Sequence, residues 1–153
     1  MHKKKVISTE KESDDRKKIV FNLCLTDDSV DGLYQLAMTE LLHIQSCPAP
    51  SNYPLPPYDN AKLMTEMALF KDWFVAQYLG LTLNDEEIAL IDSTCQHIAD
   101  AVGQQPAVFV HRDYHSRNLM VLADGSMGVI DFQDAVTGAI TYDLVSLLRD
   151  AYV

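Results

Sequence analysis

The chain has 153 residues, of which 48% are hydrophobic and 22% are charged, as is typical of a soluble globular domain. No run of about 18 apolar residues is present, so no transmembrane helix is predicted, and the basic N-terminus lacks the apolar segment of a secretory signal. The three cysteines form no CxxC pair, which favours reduced thiols, and we expect a cytoplasmic location.

The net charge of −10 is unevenly distributed along the chain. Residues 1–22 hold seven Lys and Arg against four acidic residues, whereas residues 23–153 carry a net charge of −13. We therefore predict a disordered basic leader over 1–22 and a folded domain over 23–153, with a basic interaction tail as the alternative for the leader. The acidic domain is expected to repel nucleic acid and anionic membranes, so neither is predicted as a partner.

The first predicted elements are a strand, a helix and a loop. A short apolar run over 19–25 favours a strand. A helix of about four turns is predicted over 30–44, with Asp28 or Ser29 as its N-cap, because apolar residues recur there at steps of three and four. Five of the six prolines lie within 47–57, which predicts an extended or turning loop.

Two further helices are predicted before the last third of the chain. One begins after a cap at Asp59 or Asn60 and ends at Gly80. The next begins with a capping box formed by Asn84 and Glu87. The apolar stripe predicted for the first of the two consists of Leu63, Met67, Phe70 and Phe74.

The last third of the chain changes to strand-like runs. A strand is predicted over 107–110, and a hairpin over 119–130, because Asp124-Gly125 separates two apolar runs there. A final helix is predicted over 141–152.

The polar loop between the strand and the hairpin, 111–118, reads HRDYHSRN and matches the H-R-D-x-x-x-x-N pattern of kinase catalytic loops. Phosphoryl transfer needs one carboxylate to orient the attacking hydroxyl and accept its proton, and Asp113 is placed for that work. It also needs oxygen ligands for Mg²⁺, which the Asp131 carboxylate and the Asn118 amide supply. The pattern therefore predicts kinase chemistry with ATP and Mg²⁺.

The chain resembles the aminoglycoside phosphotransferase family, whose members are small-molecule kinases with the protein-kinase fold. Within it, the chain is most similar to the branch that phosphorylates N-acetylmuramate and N-acetylglucosamine at the anomeric hydroxyl. The resemblance implies an α+β, mostly helical fold: the C-terminal lobe of a kinase-like structure, with a short β-hairpin that carries the metal site. Beside the loop and Asp131-Phe132, it is carried by Gln133-Asp134-Ala135, Gly138 and the run 141–150.

The resemblance also implies roles for individual residues. Asp113 would be the catalytic base or orienting carboxylate, and Asn118 and Asp131 would hold Mg²⁺. His111 would support the loop, and Asp143 would be the buried carboxylate that hydrogen-bonds back to the loop backbone. Candidate contacts to substrate or phosphate are Arg112, His115, Arg117 and Asp134, with surface ion pairs as the alternative for the arginines.

The chain departs from the family in two respects. It ends where family members continue with further helices, and it lacks the features of their N-terminal lobe. Family members have a nucleotide-binding lobe with a Gly-rich loop and a strand lysine, but this chain has no glycine before Gly32 and no V-A-I-K-like strand. We therefore expect a chain truncated at both ends, with little or no kinase activity by itself. The face that the missing lobe would cover is expected to favour self-association.

Several other functions are compatible with the sequence. The runner-up is an aminoglycoside or other small-alcohol O-phosphotransferase, since an acidic domain suits a cationic acceptor. A non-catalytic kinase remnant or interaction module is an alternative of another class. A zinc hydrolase would use His111-x-x-x-His115 beside Asp113, but the predicted strand before this segment and hairpin after it argue against the helix that such a pair requires.

Overall fold

The computed structural model describes residues 19–48 and 52–151, and within these ranges the fold is α+β with helix predominating. The helices are α1 (Phe21–Cys24), α2 (Val30–Ser46), α3 (Asn60–Leu69), α4 (Asp85–Gly103) and α5 (Tyr142–Leu148), with a π-helical segment (Phe70–Tyr78) that continues α3. The strands are β1 (Ile19–Val20), β2 (Ala107–Val110), β3 (Leu119–Val121), β4 (Met127–Val129) and β5 (Val136–Ala139).

The predicted helix starts are confirmed by their capping contacts. The side chain of Asp59 accepts a 3.0 Å hydrogen bond from the backbone N–H of Lys62, which begins α3. Asn84 and Glu87 form a reciprocal capping box at the start of α4, with two hydrogen bonds of 2.9 Å. Helix α2 follows Ser29, as predicted, but the Ser29 side chain makes no capping hydrogen bond to the helix.

The strands form two small antiparallel sheets. One has the order β1-β3-β4 and contains the predicted hairpin, in which Leu119 pairs with Val129. The turn of the hairpin uses Gly125 at φ 82°, a conformation that glycine adopts without strain. The other sheet pairs β2 with β5, a strand that the local sequence pattern does not predict.

The main core joins the elements that surround the polar loop. Phe21 of α1, Leu41 of α2, Leu119 of β3 and Leu147 of α5 pack together with Tyr114 from the loop itself. All five are almost fully buried. The loop is therefore anchored in the hydrophobic core and is not a free surface segment.

A smaller cluster lies beside the second sheet. Tyr58, Val110 and Val136 form it, and Leu63 of α3 packs against them. This cluster brings the start of α3 against β2 and β5, next to the end of β2 where the polar loop begins.

Three predictions about local structure are wrong in part. The run 19–25 is a strand only over its first two residues and then turns into α1, so the part of the predicted leader within the described residues belongs to the fold, while residues 1–18 lie outside them. Phe70 and Phe74, which belong to the predicted apolar stripe, are half exposed, because no described element covers their side of the helix. Helix α5 ends at Leu148, short of the predicted end at 152.

Within residues 19–48 and 52–151, no helix is both long enough and apolar enough to cross a membrane.

Candidate active site

The polar loop His111–Asn118 connects β2 to β3, and Asp143 of α5 holds its beginning. Asp143 is fully buried and accepts hydrogen bonds from the backbone N–H groups of His111 (2.7 Å) and Arg112 (3.0 Å). Burial raises the pKa of Asp143, and the two N–H groups offset only part of that rise. This is the backbone contact that the family resemblance implies for Asp143.

The middle of the loop is held by two further contacts that the sequence does not reveal. Asp150, just after α5, accepts a 2.7 Å hydrogen bond from the backbone N–H of Ser116. The buried hydroxyl of Tyr114 donates a 2.7 Å hydrogen bond to the backbone carbonyl of Ala37 in α2. Asp113 therefore lies between fixed points on both sides, while its own carboxylate is exposed.

The imidazole of His111 joins the loop to the hairpin. Its Nε2 lies 3.0 Å from the backbone carbonyl oxygen of Ile130, and its Nδ1 lies 3.3 Å from the backbone N–H of Asp113. A carbonyl only accepts and an N–H only donates, so these partners assign the tautomer with hydrogen on Nε2. One buried ring thus links Asp113 to the residue that precedes Asp131.

The hairpin brings Asn118 to the same end as Asp131. The N–H of Ile130 donates a 3.0 Å hydrogen bond to the carbonyl of Asn118, which extends the strand pairing by one residue. The amide nitrogen of Asn118 donates to the carbonyl of Asp113 at 3.0 Å, so its amide oxygen is the end left for a ligand. Asp131 follows with a φ angle of 70°, and its carboxylate is exposed. The carboxylate accepts a 2.9 Å hydrogen bond from the side-chain amide of Gln133.

The donor chemistry of Asn118 and Asp131 fits Mg²⁺. Both offer hard oxygen ligands, and Mg²⁺ is usually held by one or two carboxylates together with water and substrate phosphates. Among the described residues, no group of three or more His, Cys, Asp or Glu side chains is placed to form a closed metal site. Ligation by Asn118 and Asp131 would leave the remaining positions around Mg²⁺ to water and phosphate oxygens.

Arg112 lies on the other side of the loop, facing α3. Its Nη2 donates a 2.9 Å hydrogen bond to Glu66 Oε1, and its guanidinium lies 5.4 Å from the centre of the Tyr58 ring. An ion pair, one of the two alternatives for Arg112, is therefore present. Its partner Glu66 is 46 residues away and carries no sequence signal.

The remaining candidates are distributed around the loop. His115 is partly buried, and Arg117 and Asp134 are exposed. Residues 111–115 are not helical, and both nitrogens of His111 contact backbone groups. His111 and His115 therefore do not share a helix face, which removes the basis of the zinc-hydrolase alternative.

The sequence matches known proteins over most of its length. A family model described as the phosphotransferase enzyme family (APH) matches residues 23–153. The N-acetylmuramate/N-acetylglucosamine kinase of Pseudomonas putida is 45% identical over 126 residues, and that of Pseudomonas aeruginosa is 42% identical over 125 residues. Each match covers 82% of this chain and 36% of the relative. The kinase of the same name from Neisseria meningitidis is 45% identical over 76% of this chain and 34% of its own length. The chain thus spans about a third of the length of these relatives.

Proposed function

The chain belongs to the phosphotransferase enzyme family, and from this premise we propose that it provides an acceptor-side part of an ATP-dependent amino-sugar kinase. The substrate class follows from the relatives, which are named for N-acetylmuramate and N-acetylglucosamine. The observation that carries the proposal is the hydrogen-bonded unit formed by Asp113, Asn118 and His111, which joins the loop to the hairpin end at Asp131.

Asp113 would act on the acceptor hydroxyl. Its carboxylate is exposed while its backbone is held on both sides, so it can orient the hydroxyl and accept its proton during attack on phosphorus. A backbone that is already held in place reduces the reorganisation needed when the hydroxyl arrives, which matters in a reaction that depends on positioning.

Asn118 and Asp131 would hold Mg²⁺ through their side-chain oxygens. Bound Mg²⁺ supplies charge neutralisation at the phosphate oxygens of ATP. With ATP as the donor, we expect the protein to act in the cytoplasm.

The test is a chimera, because the chain spans only a third of its relatives. The matched segment of the Pseudomonas putida kinase is replaced by the corresponding residues of this chain, and phosphate transfer from ATP is measured with N-acetylglucosamine, N-acetylmuramate and kanamycin. We expect transfer to the amino sugars. Transfer to kanamycin alone would favour the aminoglycoside alternative, and a folded chimera that phosphorylates none of the three contradicts the proposal.

Two variants of the chimera assign the residues. Asp113→Ala is expected to lower kcat by about 10²- to 10⁴-fold, the usual contribution of a general base. Asp27→Ala changes an exposed carboxylate in the turn before α2 and should leave kcat unaltered. The isolated chain of 153 residues is expected to show little or no turnover in the same assay.

Self-association is a second proposal, and it applies to the isolated chain. Several large apolar side chains are exposed among the described residues, including Leu23 (76%), Trp73 (67%) and Phe132 (64%). Exposed apolar surface of this kind favours contact with another apolar surface. Light scattering over a range of concentrations should give a mass that rises above the monomer, and a monomer at every concentration would rule the proposal out.

A further inference from the structure

Glu66 of α3 is an acidic side chain that contacts the candidate catalytic loop, and none of the sequence motifs includes it. Its Oε1 accepts the 2.9 Å hydrogen bond from Arg112, and its Oε2 accepts a hydrogen bond from the Tyr58 hydroxyl. Lys62, one turn earlier in α3, lies 3.5 Å from Oε1. Both carboxylate oxygens are therefore engaged, and the side chain has little freedom to turn away.

Arg112, the partner of Glu66, has an unusual backbone conformation. Its φ angle is 77°, in the left-handed region. A residue with a side chain adopts this conformation only at a cost in free energy. Such a conformation persists only where the surroundings hold it. Two groups do so here: Asp143 accepts from the backbone N–H, and Glu66 accepts from the guanidinium, which also lies over the Tyr58 ring.

The two carboxylates reach Arg112 from different helices. Asp143 belongs to α5 and Glu66 to α3, so Arg112 connects both helices to the loop. Arg112 directly precedes Asp113 in the chain. A rotation of the backbone at Arg112 would therefore move the Asp113 carboxylate. That rotation would have to break the contacts of Arg112 with both helices.

We propose that Glu66 is a positioning residue that acts through Arg112 to fix the backbone, and hence the carboxylate, of Asp113. The importance of the Asp113 position for phosphoryl transfer rests on the proposed function. The contacts that connect Glu66 through Arg112 to Asp113 do not depend on it. Glu66 touches neither the acceptor hydroxyl nor a phosphate in this account, because its oxygens are taken by Arg112 and Tyr58.

The test is amide hydrogen exchange on the 153-residue chain, which requires no turnover. A residue that only adds to global stability changes the exchange of all well-protected amides together, whereas a positioning residue changes the loop selectively. We expect Glu66→Ala to speed exchange of the Arg112 and Asp113 amides about tenfold more than that of the Val108 amide in β2, which lies at a hydrogen-bonded position opposite Gly138.

Four further variants make the result specific. Glu66→Gln keeps an acceptor for Arg112 and should restore most of the protection. Asp92→Asn breaks the 2.6 Å ion pair between Lys71 and Asp92, which is remote in sequence from the loop, and should leave loop exchange unchanged. Arg112→Gln combined with Glu66→Ala should speed exchange of the loop amides no more than Arg112→Gln alone, because Glu66 acts through Arg112.

The proposal would be overturned if Glu66→Ala sped amide exchange equally in β2 and in the loop, or if it did not speed exchange of the Asp113 amide. If Glu66→Ala does not fold, Arg112→Gln decides: it removes the guanidinium that Glu66 holds, and without a selective rise in exchange at Asp113 the proposal fails. A chimera that fails to phosphorylate amino sugars would contradict the proposed function and would leave the exchange result intact.

Discussion

The Asp143 carboxylate accepts a 2.7 Å hydrogen bond from the backbone N–H of His111, a residue 32 positions earlier in the chain. The same carboxylate bonds the N–H of Arg112, so a single buried side chain fixes the start of the loop that carries Asp113. A carboxyl group suits this position because it has two oxygens that can accept, and each of them has one backbone N–H as its donor.

Asp143→Asn is expected to lower the free energy of unfolding by about 1–3 kcal/mol, the cost of leaving a buried polar group without its partner. The asparagine amide has one acceptor oxygen, so its NH₂ group would face one of the two backbone N–H groups. Urea unfolding followed by circular dichroism measures the change. The exposed Asp27→Asn is the matched control and should have no measurable effect, and equal stability of both variants would contradict the prediction.

The difference in free energy of unfolding between wild type and Asp143→Asn should depend on pH. Burial raises the pKa of Asp143 above its ordinary value of 3.8, so the folded state binds this proton more tightly than the unfolded chain does. The contribution of the group to stability therefore decreases as pH rises from about 4 through the folded-state pKa. The free energy of unfolding, measured for both proteins at pH 4 and at pH 7, should differ more at pH 4. A larger difference at pH 7 would mean that folding lowers the pKa of Asp143 instead of raising it.

Local elements of this fold can be predicted from the sequence because their signals lie within a few residues. The capping box of Asn84 and Glu87 and the hairpin turn at Asp124-Gly125 are formed by neighbours in the chain. The strand β5 has no such signal, since its pairing with β2 joins residues about 30 positions apart. Only the folded chain shows that Val136 lies opposite Val110.

Periodicity likewise shows which residues share a helix face, but not whether anything covers that face. Phe70 and Phe74 do lie on one side, with ring centres 5.6 Å apart, yet both are half exposed. The candidate site divides in the same way. The loop motif identifies Asp113 and Asn118, whereas the partners that hold the loop, Glu66 and Asp150, come from distant parts of the chain.

Gly138 in β5 lies too close to Tyr58 to accept a side chain. A β-carbon built there would lie 3.2 Å from Tyr58 Cβ and 3.4 Å from Val110 Cγ2, and neither atom is the flexible end of a long chain. Gly138→Ala should therefore lower the free energy of unfolding by about 1–3 kcal/mol, the usual cost of overpacking.

Gly103 at the end of α4 provides the control, because nothing lies within 4 Å of its added β-carbon. Gly103→Ala should be neutral or stabilising by up to about 1 kcal/mol, as expected for alanine in place of glycine within a helix. Thermal unfolding of both variants decides the matter: a Gly138→Ala protein as stable as wild type would show that the strand moves away from Tyr58 at no cost.

Among the described residues, Asp131 is expected to be the principal ligand of a divalent cation. A paramagnetic ion can test this prediction on the isolated chain. Mn²⁺ accepts the same oxygen ligands as Mg²⁺, so it should broaden the amide signals of Asn118 and Asp131 most strongly. Excess Mg²⁺ should reverse the broadening. Asp131→Asn removes a charged ligand and should weaken the effect at least about tenfold, whereas Asp134→Asn, an equal change of charge three residues away, should leave it nearly unaltered. If the two variants weaken Mn²⁺ binding equally, the cation responds to the general negative charge of the turn, and Asp131 is not its specific ligand.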